Sequence, residues 1–200
     1  MPLLIPDVLN LGAGMRWRFD TVNIDARADF SPDITLDINL PIPFDQSIAS
    51  WRFGLTRLTR GSFTKIIANN VFQCSDNFVQ TLTNCLDLLE EGGVLELEIP
   101  HDLSYGAWSM ANTKRTFNER TWEKILGDWW QYGWETHRFE CFNQSFLIVN
   151  NYGFEALNSN NQDWETVLKI PRAIDAIKVF LRKRKLTDAE LRLLPTNKFL

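Results

Sequence analysis

Gly12-Ala13-Gly14, Asp25, Asp37 and the pair Asn69-Asn70 each stand where a short apolar run gives way to polar sequence. Glycines lack the side chain that keeps a ligand off the backbone, and bare N–H groups can meet a carboxylate or a phosphate. Asp25, eleven residues beyond Gly14, offers a carboxylate that can accept both hydroxyls of a ribose. Asp37 can sit beside an adenine ring, and the Asn69 and Asn70 amides both donate and accept. Each residue also has a plainer reading: turn punctuation for the glycines, turn aspartates, and loop-capping asparagines. Further along, His101 and Asp102 follow Pro100, with Tyr105 and Trp108 close behind. An imidazole with its ordinary pKa of about 6.5 can take a proton near neutral pH, so His101 is the candidate base, against the alternative of a loop histidine without a role. His137 reads as structural.

These residues need a scaffold. The apolar runs Val8 to Leu11 and Val22 to Ile24 read as buried strands, and only seven residues, Met15 to Thr21, separate the glycine turn from the second run. A crossover helix needs about a dozen residues, so a stub or bare loop is expected there. Pro32 to Ile38 alternates like a third strand, stopped by Pro41 and Pro43, and residues 45 to 62 show no clean period and read as a long loop or short helix. Phe63 to Ala68 predicts a fourth strand, followed by a helix on Phe78, Leu82, Cys85, Leu86 and Leu89 that Gly92-Gly93 would end. Val94 to Ile99 predicts a fifth strand. Asn118 can cap a helix carrying Trp122, Ile125, Leu126, Trp129 and Trp130 on one face, with Phe117 and Trp122 as a hydrophobic staple. Arg138 to Val149 is strand-like but broken at Asn143-Gln144, 158 to 163 is a polar turn, and 174 to 183 fits a strand or a helix equally. The order argues for an α/β fold, Rossmann-like and doubly wound, with a mostly parallel sheet and helices on both faces. Its ligand crevice would lie beyond the carboxyl ends of the strands, where the turn glycines and strand-end aspartates converge.

Two hundred residues with 44% hydrophobic content fit one domain, 1–200, with a core about 8–150 and a C-terminal strand and tail about 174–200. A net charge of −4 excludes a global basic field, though one local patch would suffice for nucleic acid or an acidic partner. Lys178, Arg182, Lys183, Arg184 and Lys185 form such a cluster, or else a solvated edge. Three scattered cysteines suggest neither a disulfide framework nor a zinc cluster, so no metal is expected and a reducing cytoplasm is the natural compartment. No apolar run approaches the ~20 residues of a membrane span, and a soluble, unprocessed chain is expected.

The run Val8-Leu9-Asn10-Leu11-Gly12-Ala13-Gly14, then Val22-Asn23-Ile24-Asp25, then Pro32 to Phe44 resembles a subgroup of small class I S-adenosylmethionine-dependent methyltransferases with the same short first gap. Leu88 to Pro100 is similar to that family's turn into the fifth strand, and Asp102 to Trp108 with Arg115 to Trp122 resembles a bacterial and phage branch. The resemblance covers roughly residues 8 to 135, with an echo at Val179 to Lys183. It implies a seven-strand sheet and S-adenosylmethionine as cofactor, with methionine-moiety contacts at Gly12 and Gly14, ribose hydroxyls on Asp25, and adenine near Asp37 and Ile38. Asn10 replaces the usual acidic residue, weakening a bond to a charged amino group. Two departures remove ionisable groups from the substrate side: Asn70-Val71-Phe72-Gln73 stands where a His and a Glu are common, and Met110-Ala111-Asn112-Thr113 where the branch shows Asp-Pro-Thr-His.

The expected activity is methyl transfer to an unidentified acceptor, with His101, Asp102 and Tyr105 as catalytic candidates and Asn10, Gly12, Gly14, Asp25, Asp37, Ile38, Asn69 and Asn70 toward the cofactor. The alternative is a non-catalytic binding module using the aromatic helix 118–134 and the basic segment 178–185. A nucleotide-binding enzyme of another kind fits less well, because a third glycine and a Walker lysine are missing.

Overall fold

The computed structural model of the chain describes residues 4–194; both extremities of the 1–200 span lie outside the described residues. Val8–Leu11 (β1) and Val22–Asp25 (β2) are almost wholly buried, as befits central parallel strands covered on both faces. No helix separates them. Ile34–Thr35 (β3) is shorter than the alternation from Pro32 to Ile38 predicts, because a turn opens at Asp37, whose carbonyl accepts from Leu40 N–H at 3.2 Å. Residues 45 to 62 hold an antiparallel hairpin, Ile48–Ser50 (β4) and Gly54–Thr56 (β5), in place of the expected loop or helix. Three-residue strands are too short to show a period.

Phe63–Asn69 (β6) leads through a 3₁₀ turn, Phe72–Cys74, into the helix Phe78–Leu88 (α1), capped by the Asn77 side chain on Gln80 N–H. The helix ends before Gly92-Gly93, because Leu89 already pairs with Phe63 and opens the long strand Leu89–Pro100 (β7). The predicted helix over 118–134 is two pieces, Thr121–Gly127 (α2) and a 3₁₀ turn, Trp129–Tyr132, parted at Asp128. Phe117 and Trp122 do stack, 5.6 Å apart and within 11° of parallel. His137–Leu147 (β8) slips register between Cys141 and Asn143, at the expected break. Asn151–Ser159 (α3) and Trp164–Val167 (α4) were not legible in the polar sequence around them. Ala176–Lys185 (β9) is a strand, since Ile177, Val179 and Leu181 are buried at a period of two. Asp188–Leu191 (α5) follows behind a Thr187–Glu190 capping box.

The strands form one seven-stranded sheet, β3-β2-β1-β6-β7-β9-β8, beside the β4-β5 hairpin. Pairs from β3 to β7 are parallel; β9 runs antiparallel to β7 and β8. Leu95, Leu97 and Ile99 of β7 face the core, while the alternating Glu96 and Glu98 pair with Lys65 and Lys178 at 2.6 and 3.5 Å. Strand order reverses between β1 and β6, and such a reversal opens a crevice at the carboxyl ends of the strands.

Candidate functional site

A cavity of about 360 Å³ occupies that crevice, within the range of small-molecule sites. Gly12 and Gly14 after β1, Asp25 at the end of β2, Asp37 and Ile38 after β3, and Asn70 after β6 all line it. Short loops after neighbouring parallel strands bring together residues that are far apart in the sequence.

The glycines are required by geometry. Gly12 has φ +61°, and a Cβ there would lie 2.4 Å from Val71 Cγ2, closer than carbon atoms can approach. Gly14 has φ +48°, and its N–H donates to Asp25 Oδ2 at 2.9 Å. Asp25 Oδ1 accepts from Arg27 N–H at 2.9 Å, so two backbone donors fix the carboxylate while each oxygen keeps a lone pair for a ligand. Across the cavity, Phe30, Leu36 and Ile38 form an apolar wall, with the Arg27 guanidinium 4.3 Å over the Phe30 ring. Asp37 Oδ1 accepts from Asn39 N–H and Asn39 Nδ2–H. Asn39 Oδ1 accepts in turn from Ser75 Oγ–H at 2.7 Å and Asn77 N–H at 3.1 Å, tying the loop after β3 to the loop after β6. Phe30, Asn39 and Ser75 were not singled out in the sequence; only tertiary contact relates them, and no spacing rule would have found them.

Asn10 and Asn69 do not line the cavity. Asn10 is buried and donates from Nδ2 to Arg16 O and Asn23 Oδ1, at 3.0 and 2.9 Å. It belongs to a buried polar network beneath the glycine turn: Asn23 N–H and Nδ2–H donate to Asp33 Oδ2, which also holds Arg52 of the hairpin at 2.8 Å. Asn70 itself takes φ +58°, a left-handed turn that asparagine tolerates, and its N–H donates to Glu98 O.

The structure does not bring His101, Asp102 and Tyr105 to this cavity. His101 is 1% exposed, and its Nδ1 accepts Leu103 N–H at 3.3 Å beside Asp102 Oδ1. Its other nitrogen lies 3.7 Å from Glu119. Asp102 accepts from Asn118 Nδ2–H, and Tyr105 is exposed on a second hollow with Tyr152 and Arg172. The chain between Pro100 and Phe117 turns His101 inward to bridge Phe117, and from this loop Met110 and Asn112 reach the cavity instead.

Much of the surface that the binding-module alternative would use is engaged within the chain, though Arg182 is exposed and without an ion pair among the described residues. Trp122, Trp129 and Trp134 are core residues, and only Trp130 of that group is exposed. In the basic segment, Lys178 pairs with Glu98, Arg184 with Glu190 and Lys185 with Glu91, while Lys183 Nζ donates to Leu89 O. Among the described residues no cluster of His, Cys, Asp and Glu could hold a metal ion, and no helix is long and apolar enough to cross a membrane.

No family model and no curated protein matches the sequence. Solved structures do match in shape. A chain in the complex between the Haloferax volcanii Trm112 methyltransferase activator and the putative methyltransferase is 12% identical over 92% of this chain and 85% of its own, with a TM-score of 0.56. An S-adenosylmethionine-dependent methyltransferase from Mesorhizobium loti is 12% identical over 88% and 89%, with a TM-score of 0.52. The chain has the class I methyltransferase fold. The [4+2]-cyclase SpnF is also similar, at 11% identity over 88% of this chain and 74% of its own and a TM-score of 0.56, so this fold by itself does not name a reaction.

Proposed function

We propose that the chain binds S-adenosylmethionine in the cavity between β1 and β6 and transfers its methyl group to an acceptor, as a single-domain enzyme of the reducing cytoplasm. The observation that carries this is the Asp25 carboxylate, fixed at the end of β2 by Gly14 N–H and Arg27 N–H and opening onto a cavity floored by glycines. The residues fit such a ligand. Gly12 and Gly14 line the cavity with bare backbone, so a polar ligand can lie against the main chain. Asp25 has lone pairs for ribose hydroxyls, and Phe30, Leu36 and Ile38 supply an apolar wall for a purine, with Asp37 at its edge. Asn39, held by Ser75 and Asn77, keeps Asp37 in place. The bound cofactor would supply an electrophilic methyl group, and this chain's part is then alignment more than acid–base chemistry. The three cysteines are free, in keeping with a reducing compartment.

Calorimetry with S-adenosylmethionine and S-adenosylhomocysteine tests the reading. Both should bind, and Asp25→Ala should weaken each about ten- to a hundredfold, the worth of a hydrogen bond to a charged group. No heat with either ligand at millimolar concentration would remove the proposal.

A further inference from the structure

A second hollow opens on the carboxyl-end edge of the sheet, where Ala176 at the start of β9 stands level with Pro100 at the end of β7 and Leu147 at the end of β8. It measures about 680 Å³ and is lined by Tyr105, Asn150, Tyr152, Pro171, Arg172 and Asp175, none of which lines the cavity between β1 and β6. The loop after β7 serves both places, giving Tyr105 to the hollow and Met110 and Asn112 to the cavity.

The hollow is built at a conformational cost. Arg172 has φ +66°, in the left-handed region that glycine and asparagine occupy far more readily than arginine. Its backbone is held on both sides: its N–H donates to Leu103 O at 2.8 Å, and its carbonyl accepts from Asn150 Nδ2–H at 3.3 Å. Asn150 Nδ2 also donates to Asp175 Oδ2 at 2.9 Å, while Asn150 Oδ1 caps α3 through Gly153 N–H at 2.7 Å. A Cβ at Gly153 would stand 2.1 Å from Ala173 O, so only glycine lets α3 close against this segment. Backbone strain held in place by its surroundings is a mark of places where a side chain must face a ligand.

The side chains that face the hollow are accessible and have bonding capacity to spare. Arg172 is exposed, forms no ion pair among the described residues, and sets its guanidinium 5.4 Å from the centre of the Tyr105 ring. A guanidinium over a ring keeps its in-plane N–H groups for a bidentate anion such as a phosphate. The Tyr105 and Tyr152 rings, 76% and 53% exposed, offer flat faces on which a base can stack. Asp175 Oδ2 accepts from Val149 N–H at 2.6 Å as well as from Asn150, which leaves Oδ1 to accept from an amino or hydroxyl group. Arg172 and Asp175 do not pair with each other, and the hollow is larger than an amino acid fills. Both features suit a ligand with its anion at one end and its hydrogen-bond donors at the other.

We infer that this hollow is a second ligand site, for a nucleoside monophosphate: phosphate on Arg172, base against the tyrosine rings, and base or ribose donors on Asp175 Oδ1. It stands or falls independently of the cofactor site.

The test titrates the full chain by calorimetry with cytidine monophosphate, which lacks the adenine of the proposed cofactor, and with cytidine, inorganic phosphate and phenylalanine. Cytidine monophosphate should bind about tenfold or more tighter than cytidine or phosphate, and equally well in saturating S-adenosylhomocysteine. Arg172→Gly relieves the left-handed backbone while removing the cation, so it should melt no lower than wild type yet lose about tenfold or more in affinity. Tyr105→Ala, at an exposed position, should lose about tenfold with its stacking surface. A short oligocytidylate that binds more tightly than the mononucleotide identifies single-stranded nucleic acid as the source; equal or weaker binding identifies the free nucleotide. No heat with cytidine monophosphate at about millimolar concentration, equal affinity for cytidine, displacement by S-adenosylhomocysteine, tighter binding of phenylalanine, or unchanged affinity in both variants would overturn the site. Cytidine monophosphate bound by a chain that takes no S-adenosylhomocysteine removes the cofactor proposal and leaves this one standing; the converse result does the opposite.

Discussion

Substituting Gly12 with alanine tests the glycine turn without touching a charged group. Two costs are expected. An L-residue at φ +61° is held in the left-handed region, at roughly 1–2 kcal/mol. The new Cβ also meets Val71 Cγ2 at 2.4 Å, an overpacking of the kind that costs about 1–3 kcal/mol. Gly12→Ala should therefore destabilise by about 2–5 kcal/mol. Val71→Ala alone removes two partly buried methyl groups, worth roughly 1–2 kcal/mol at ~0.8 kcal/mol each. In the double variant the added methyl group occupies the space Val71 Cγ2 vacates, so the collision vanishes and only the backbone strain and the lost methyl contacts remain. Urea denaturation of the four proteins gives the coupling directly, and it should favour the double variant by about 1–3 kcal/mol over additivity. Additivity to within about 0.5 kcal/mol would mean that Val71 does not press on the turn, and the cavity wall drawn from that contact would be wrong. Calorimetry on the same set adds a functional reading. Gly12→Ala should lose S-adenosylhomocysteine affinity, because the new methyl pushes aside Val71, which also lines the cavity, and adding Val71→Ala should recover much of the loss.

Three other perturbations have defined outcomes. Asp33→Ala leaves the Arg52 guanidinium, with its side chain 6% exposed, without a counter-charge and should cost about 3–5 kcal/mol in a denaturant titration; adding Arg52→Met should recover a large part of it. Trp122→Ala opens a hole beneath Phe72, Phe78 and Phe117 and should cost ~3–5 kcal/mol, whereas Trp130→Ala, at an exposed position, should melt like wild type. Glu190 is held well below the usual carboxylate range, first by its bonds to Arg184 and then by Thr187 N–H, and it also pairs with Arg138 at 2.8 Å. A depressed carboxylate contributes stability above its unfolded pKa of about 4.3, and that stability is lost as pH falls through the lowered folded value. Glu190→Gln should therefore cost about 1–3 kcal/mol at neutral pH, and the gap to wild type should close in strong acid; a gap independent of pH would refute the ion-pair account.

The buried strands were legible because their signal is local. Val8 to Leu11, Val22 to Asp25 and Phe63 to Ala68 are apolar runs ended by glycine or polar residues, and strands covered on both faces carry that pattern wherever the chain goes next. Gly12, Gly14, Asp25, Asp37 and Asn70 followed from the same logic, since in a parallel sheet what comes after each strand shares one edge, and Ile38 came from the family resemblance. Periods that packing interrupts were not legible. The aromatic helix parts at Asp128, the β4-β5 strands are too short to show alternation, and 176–185 became a strand only by pairing on both sides, with β7 and β8.

Side-chain direction within the site belongs to tertiary structure alone. His101 stands after the fifth parallel strand of the chain in sequence, where a base is expected, yet its peptide N–H bonds to Asp175 O and its ring is buried between Leu103 N–H and Glu119, off the cavity lining. Asn10 sits in the glycine motif, yet Asn23 and Arg16 O claim its amide. Gln73 read as the loss of an ionisable group, and it lies buried, with its backbone carbonyl taken by Lys114 N–H and Arg115 N–H. Sequence determined which residue types stand at the strand ends, because that depends on chain order and hydrophobic pattern. Whether each polar group there meets a ligand, a neighbour or nothing depends on partners as remote in sequence as Asp175 is from His101, and only the packed chain supplies those.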